Sequence, residues 1–236
     1  MLALAACEGG SRAKPRVRGA AAGARHGADS TTAAPSSTNA KEQGVILFVG
    51  TSLTAGLGLD PDQAFPAVVA RRLDSLGGKE NYEVVNAGVS GETSADLRRR
   101  VGWLLRRPAR VIVIETGAND GLRGLSVDSM RANIQGILDS VRTRQPAARV
   151  ILAGMEALPN MGPAYAVEFR RVVPELARRN GVTLLPFLLA GVAGVDTLNQ
   201  ADGIHPNPRG AEIVAANVLR VLRPLLDSLD RAAPKP

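Results

Sequence analysis

The run VILFVGTSLTAG, residues 45–56, is apolar as far as Gly50 and then presents Thr51 and Ser52. A serine at the end of a buried strand is a candidate nucleophile for acyl transfer, and equally the small polar residue that lets a strand end in a turn. What separates the two readings is whether a base and an orienting acid reach the same place. The chain has two histidines, and His26 stands in a segment rich in Ala, Gly, Ser and Thr, so His205 is the one imidazole left to a folded domain. A lone histidine is more often structural than catalytic, but the setting DGIHPN argues otherwise here. Asp202 precedes it by three residues across Gly203, which allows the carboxylate to turn back onto the imidazole and fix its tautomer. Pro206 biases His205 away from helical dihedrals, while Asn207 and Pro208 make an N-cap and first position for a following helix.

These residues need elements to position them. VILFV (45–49), YEVVN (82–86), RVIVIET (110–116), RVILAG (149–154) and VTLLPF (182–187) read as buried strands, apolar on both faces. Between them the period changes to that of helices. Leu97, Val101, Leu104 and Leu105 form one apolar stripe, and Met130, Ile134, Ile137, Leu138 and Val141 a second. Tyr165, Phe169, Val172, Val173 and Leu176 form a third, and Val214, Val218, Val221, Leu222 and Leu225 a fourth. Strands alternating with helices imply an α/β fold with a five-stranded parallel sheet covered on both faces and right-handed crossovers. Ligands in such folds sit outside the carboxyl ends of the strands. There the chain places GTSL, NAGVSGETS, GAND, MEALPNMGP and DGIHP, so polar groups suited to acyl transfer recur where a site would form.

Competing motifs fit less well. Thr54 stands where the G-x-S-x-G elbow has its last glycine. There is no P-loop and no G-x-G-x-x-G fingerprint, and one cysteine with one domain histidine falls short of a zinc ligand set, so no metal and no cofactor is expected. Taken singly, Ser52 reads as a turn residue, Gly91 as a helix-entry glycine and Asn119 as a cap; only their coincidence with the D-x-x-H loop favours catalysis.

The GTSL, NAGVSGETS, GAND and DGIHP blocks, in this order, resemble the sequence blocks of the SGNH (GDSL-type) hydrolases. The likeness covers about residues 44–226, and VSGETS, ETGANDGLRG and LPFLL…DGIHPN are most similar to the bacterial periplasmic thioesterase, arylesterase and lysophospholipase type. The resemblance implies Ser52 as nucleophile, His205 as base and Asp202 as its orienting acid. It further implies an oxyanion hole made by the backbone N–H groups of Ser52 and Gly91 and the side-chain amide of Asn119. The implied fold is a three-layer α/β/α sandwich, flavodoxin-like, with strand order 2-1-3-4-5. One departure is plain: the family's aspartate after the first glycine is Thr51 here, which puts the orientation of the turn in question. The implied substrates are short to medium acyl esters, aryl esters, thioesters or lysophospholipids, with Leu158, Pro159 and Met161 supplying apolar binding surface. The alternatives are O-deacetylation of a carbohydrate or peptidoglycan, and a noncatalytic envelope-anchored binding protein.

Composition bounds the remainder. No run approaches the roughly 18 apolar residues needed to cross a bilayer. The net charge of +7 splits into +3 over residues 1–42 and +4 over the rest, and with 3% aromatics to stack bases no nucleic-acid partner is expected. Residues 8–42 contain Val17 as their one large aliphatic side chain and read as a disordered linker. Residues 43–230 form the expected hydrolase domain and 231–236 a tail. The single cysteine, Cys7, lies in MLALAAC, which is similar to the end of a bacterial lipoprotein signal whose cysteine becomes lipidated. Only six residues precede it, so residues 1–7 read as a remnant of such a signal with the true start upstream. The expectation is a monomer, exported and periplasmic or lipid-anchored to the cell envelope, with a small-molecule ester or thioester as its partner.

Overall fold

The computed structural model describes residues 44–75, 82–157 and 161–232. Cys7 and the expected linker, with the last residues of the expected tail, lie outside them. The five strands are β1 (Gly44–Gly50), β2 (Tyr82–Gly88), β3 (Val111–Glu115), β4 (Arg149–Ala153) and β5 (Thr183–Leu185). All pair in parallel in the order β2-β1-β3-β4-β5. The helices are α1 (Ser52–Ala55), α2 (Phe65–Ser75), α3 (Ser94–Leu104), α4 (Ala118–Leu122), α5 (Val127–Arg144), α6 (Pro163–Asn180) and α7 (Pro208–Ala232), with a 3₁₀ turn at Asp196–Leu198 before α7. Helices α3, α5 and α6 pack side by side on one face of the sheet, and α2 and α7 on the other. This is the division that right-handed crossovers impose when the chain steps first one way and then the other from β1. No helix among the described residues is long and apolar enough to cross a membrane.

The core follows the periodicity of the sequence. Every residue of β3 is buried, as are Val45 to Gly50 of β1, because both strands have neighbours on either side and helices above and below. Leu97, Val101 and Leu104 of α3 and the whole α5 stripe are buried against them. In α7 the buried face includes Val214, Val218 and Leu222, while Val221 and Leu225 are only partly covered. Full burial of each such side chain is worth roughly 1.5–3 kcal/mol.

Two readings change. YEVVN and VTLLPF read as buried strands, but β2 and β5 are the two edges of the sheet: β2 has half-buried side chains, since β1 alone flanks it, and β5 spans only Thr183–Leu185 with Thr183 and Leu184 half-buried, since β4 alone flanks it. Helix α2, which the sequence reading passes over, carries Phe65, Val68, Val69 and Leu73 on one face; the first three are buried, and the Phe65 ring meets Phe48 edge-on at 5.6 Å.

Candidate active site

The site is built where β1, β2 and β3 end side by side. β1 runs out at Gly50, and α1 begins directly at Ser52 and ends after one turn at Gly56, which adopts the left-handed conformation (φ 77°). For α1 to lie this close to the strand ends, the two strands must finish in glycine. A Cβ on Gly88 would stand 2.3 Å from the Ala55 nitrogen, and one on Gly50 would stand 2.1 Å from Thr54 Oγ1. Asn86, also on β2, donates its side-chain amide to the Thr54 carbonyl at 2.8 Å.

His205 arrives from the far side on the loop before α7. Asn207 caps that helix, its side-chain oxygen accepting from Gly210 N–H at 3.1 Å, and Pro208 is the first helical residue. The loop is closed by Gln200 N–H donating to the His205 carbonyl at 2.7 Å, and Gly203 turns it with φ 74°. Asp202 then folds back as its spacing suggests. Its Oδ1 accepts the backbone N–H groups of Ile204 and His205 at 3.0 Å each, and its Oδ2 lies 2.6 Å from His205 Nδ1. The hydrogen bond to the imidazole, reinforced by the His205 backbone N–H, lowers the Asp202 pKa to about 2. An ionised carboxylate only accepts, so Nδ1 carries the hydrogen and Nε2 of the neutral ring is bare. Nε2 stands 2.8 Å from Ser52 Oγ, ready to accept the hydroxyl proton. Ser52, His205 and Asp202 are thus joined in one hydrogen-bonded chain.

Asn119 stands beside this chain, joined to the loop that carries Gly91. Asn119, near the start of α4, donates its side-chain amide to the Glu92 carbonyl at 2.9 Å and shares a cavity wall with Ser52 and His205. Gly91 has φ 81°, a conformation that leaves glycine the natural occupant of this turn. Among the described residues, the N–H groups of Ser52 and Gly91 donate to no protein acceptor. Ser52 and Asn119 line the cavity together with His205, whereas Gly91 is not among its described wall residues.

The cavity beside Ser52 has a volume of about 370 Å³, with walls from Leu122, Met155, Ala157, Phe187, Leu189 and Ile204. This lies toward the small end of the range of small-molecule pockets, about 300–1,000 Å³. The substrate-binding surface expected from Leu158, Pro159 and Met161 is only partly within the described residues. Leu158 and Pro159 lie outside the described residues, and Met161 packs its terminal methyl against Gly124 rather than joining the cavity wall. Among the described residues no group of three or more His, Cys, Asp or Glu side chains is arranged to hold a metal ion.

The model matching residues 48–213 is that of the GDSL-like lipase/acylhydrolase family. The chain belongs to that family. It is an ester-hydrolysing enzyme by membership. It is 41% identical over 183 residues to esterase TesA of Pseudomonas aeruginosa, covering 77% of this chain and 89% of that protein. It is 32% identical over 183 residues to thioesterase 1/protease 1/lysophospholipase L1 of Escherichia coli, covering 77% and 85%. The crystal structure of TesA superposes with a TM-score of 0.72 at 40% identity, covering 77% of this chain and 99% of that one.

The structure also shows contacts that the sequence reading passed over. Thr51 does not cap α1; its hydroxyl donates to Glu115 at 2.9 Å. Arg100 clamps the Gly91 loop, bonding the Glu92 carboxylate at 2.7 Å and the Ala87 carbonyl at 2.8 Å. Asp120, buried, accepts from Ser94 N–H at 2.7 Å and from its hydroxyl at 2.6 Å. The available signal was a charged residue inside an otherwise apolar strand, Glu115 in RVIVIET.

Proposed function

We propose that the protein is a serine esterase that cleaves carboxylic esters through an acyl-enzyme on Ser52. The observation that carries this is the hydrogen-bonded order Asp202–His205–Ser52, with separations of 2.6 and 2.8 Å, at the mouth of an apolar cavity. His205 Nε2 takes the Ser52 proton as Oγ attacks the ester carbonyl, and the carbonyl oxygen becomes an oxyanion facing the N–H groups of Ser52 and Gly91 and the amide of Asn119. Collapse of this intermediate expels the alkoxide or phenoxide, which receives the proton from His205. Water then attacks the acyl-enzyme with His205 again as base, releasing the carboxylic acid and restoring Ser52. Asp202 keeps the imidazole in the tautomer that both steps require.

The lining by Leu122, Phe187 and Leu189 favours short to medium acyl or aryl groups over the polar rings that a carbohydrate or peptidoglycan deacetylase must hold. Thioesters and lysophospholipids fall within the same reading, in keeping with the names of the Pseudomonas and Escherichia relatives. The bonded chain through Ser52 favours catalysis over a noncatalytic binding role. The reading extends to a monomer exported to the periplasm and held at the envelope by a lipid on Cys7, supported by the MLALAAC context. Incorporation of an alkyne-labelled fatty acid that disappears in Cys7→Ser tests the anchor.

The test of the chemistry is turnover of a series of p-nitrophenyl esters by wild type and Ser52→Ala, with mass spectrometry after fluorophosphonate treatment. Activity lost in Ser52→Ala, with the phosphonyl group on Ser52 of the wild type, is the expected result. Undiminished turnover by Ser52→Ala overturns the proposal.

A further inference from the structure

Glu115 takes no part in the proton transfers, yet it bonds the turn that carries the nucleophile, through Thr51 and Thr54. It is 1% exposed at the end of β3, and among the described residues no cation pairs with it. Its partners are Thr51 N–H at 2.8 Å, the Thr51 hydroxyl at 2.9 and 3.1 Å to its two oxygens, and the Thr54 hydroxyl at 2.9 Å. Burial raises its pKa against these hydrogen bonds, which favour the ionised form. A carboxyl group in a core without a counter-ion is costly, and where a sequence breaks the rules of the core the reason is usually functional.

The geometry suggests the reason. Ser52 must keep its hydroxyl free for His205 and its N–H free for an oxyanion, so the turn that carries it cannot be held by Ser52 itself. The residues on either side are held instead. Thr51 and Thr54 both bond to Glu115, and on the other flank Asn86 holds the Thr54 carbonyl. Thr51 even forgoes the role its position offers, since as the residue preceding α1 it makes no side-chain cap. A threonine at this position donates its hydroxyl to the buried carboxyl group, where an aspartate would set a second carboxyl group against it.

We propose that Glu115 is a positioning residue of the hydrolysis, fixing Thr51 and Thr54 and through them the direction of the Ser52 hydroxyl and N–H. The proposal rests on the reading of Ser52 as nucleophile. Its effect must then appear in the reaction step and not in substrate binding, because Glu115 does not line the cavity. Misplacement of a reacting group by about 1 Å can cost on the order of 10²-fold in rate.

The experiment compares wild type with Thr51→Val, Thr51→Ser, Glu115→Gln and the Thr51→Val/Glu115→Gln double variant. The readouts are kcat and KM on a p-nitrophenyl ester, the rate of fluorophosphonate labelling, and far-ultraviolet circular dichroism. The expected result is a fall in kcat of about 10- to 100-fold in Thr51→Val and Glu115→Gln with KM within about twofold, and a parallel fall in labelling rate. Thr51→Ser, which restores the hydroxyl, returns kcat to within about threefold of wild type, and the double variant is no worse than the poorer single variant because the two residues act as one unit. Folded Thr51→Val with kcat within about twofold of wild type overturns the proposal, and this variant decides the matter if Glu115→Gln does not fold. Wild-type protein that labels on no serine refutes instead the underlying assignment of Ser52, a separate outcome read from a separate sample.

Discussion

Replacing Asp202 by asparagine should be more damaging than removing its side chain altogether. In the wild type Oδ1 is occupied by two backbone donors, Ile204 N–H and His205 N–H, each at 3.0 Å, while Oδ2 faces His205 Nδ1 at 2.6 Å. An asparagine has one oxygen and one NH₂ group to satisfy these positions. Two backbone donors require the oxygen, so the NH₂ group is turned toward Nδ1. Nδ1 must then accept, the ring hydrogen moves to Nε2, and Nε2 donates to Ser52 Oγ instead of taking its proton. A base locked in the wrong tautomer costs about 10⁴-fold in kcat in the well-studied serine-protease precedent. Asp202→Ala differs because the Asp202 side chain is 45% exposed, so water can occupy the space and accept from Nδ1. The correct tautomer then remains accessible, and the loss is about 10- to 100-fold less than for asparagine. Initial rates on p-nitrophenyl acetate and butyrate measure both variants, and ¹⁵N chemical shifts of the imidazole report the tautomer directly. An Asp202→Asn variant more active than Asp202→Ala, or with the ring hydrogen still on Nδ1, refutes the reasoning.

Asn119→Ala removes one oxyanion donor and should lower kcat by about 10² to 10³ with little change in KM, as measured on the same esters. Gly50→Ala forces a Cβ to within 2.1 Å of Thr54 Oγ1 and 2.6 Å of Glu115 Oε2, and should cost about 1–3 kcal/mol in a urea unfolding titration while reducing turnover. The Asp202 pKa, lowered from 3.8 to about 2, favours the folded state at any pH above 3.8, and that contribution is lost as pH falls through 2. The urea midpoint of wild type should therefore fall more between pH 5 and pH 2 than that of Asp202→Asn, by a small margin because the side chain is half exposed.

Much of this was legible in the sequence, for identifiable reasons. Strands β1, β3 and β4 are short runs buried on both faces, so their composition alone marks them, and the polar blocks that follow β1 and β3 stand where a parallel sheet presents its ligands. The Asp202–His205 pairing was legible because it is local, three residues across a glycine. Contacts between distant segments were not. Glu115 meets Thr51 across 64 positions and Arg100 meets the Gly50 carbonyl across 50, and no local period encodes such pairings. Much of the cavity wall is hidden from the sequence for the same reason. The loop after β4 contributes Met155 and Ala157, but Phe187, Leu189 and Ile204 come from segments that the fold alone brings together. Helix α2 was legible as well, since Phe65, Val68, Val69 and Leu73 repeat at i, i+3, i+4 and i+8.

The loops of the site are bonded to one another, and this bears on how Asn119 would work in the proposed mechanism. Its amide donates to the Glu92 carbonyl, Arg100 bonds the Glu92 side chain, and Arg123 donates to the Gly91 carbonyl at 2.8 Å. Gly91 is thus fixed from three directions while its own N–H stays unpaired within the protein. An amide nitrogen carries two hydrogens, so Asn119 can spend one on aligning the Gly91 loop and turn the other toward the oxyanion. A serine or aspartate at position 119 could supply at most one of these bonds. Under the proposed mechanism the count of donors thus favours a side-chain amide here, and the buried Asp120 next to it, tied to Ser94 at the start of α3, joins the two segments.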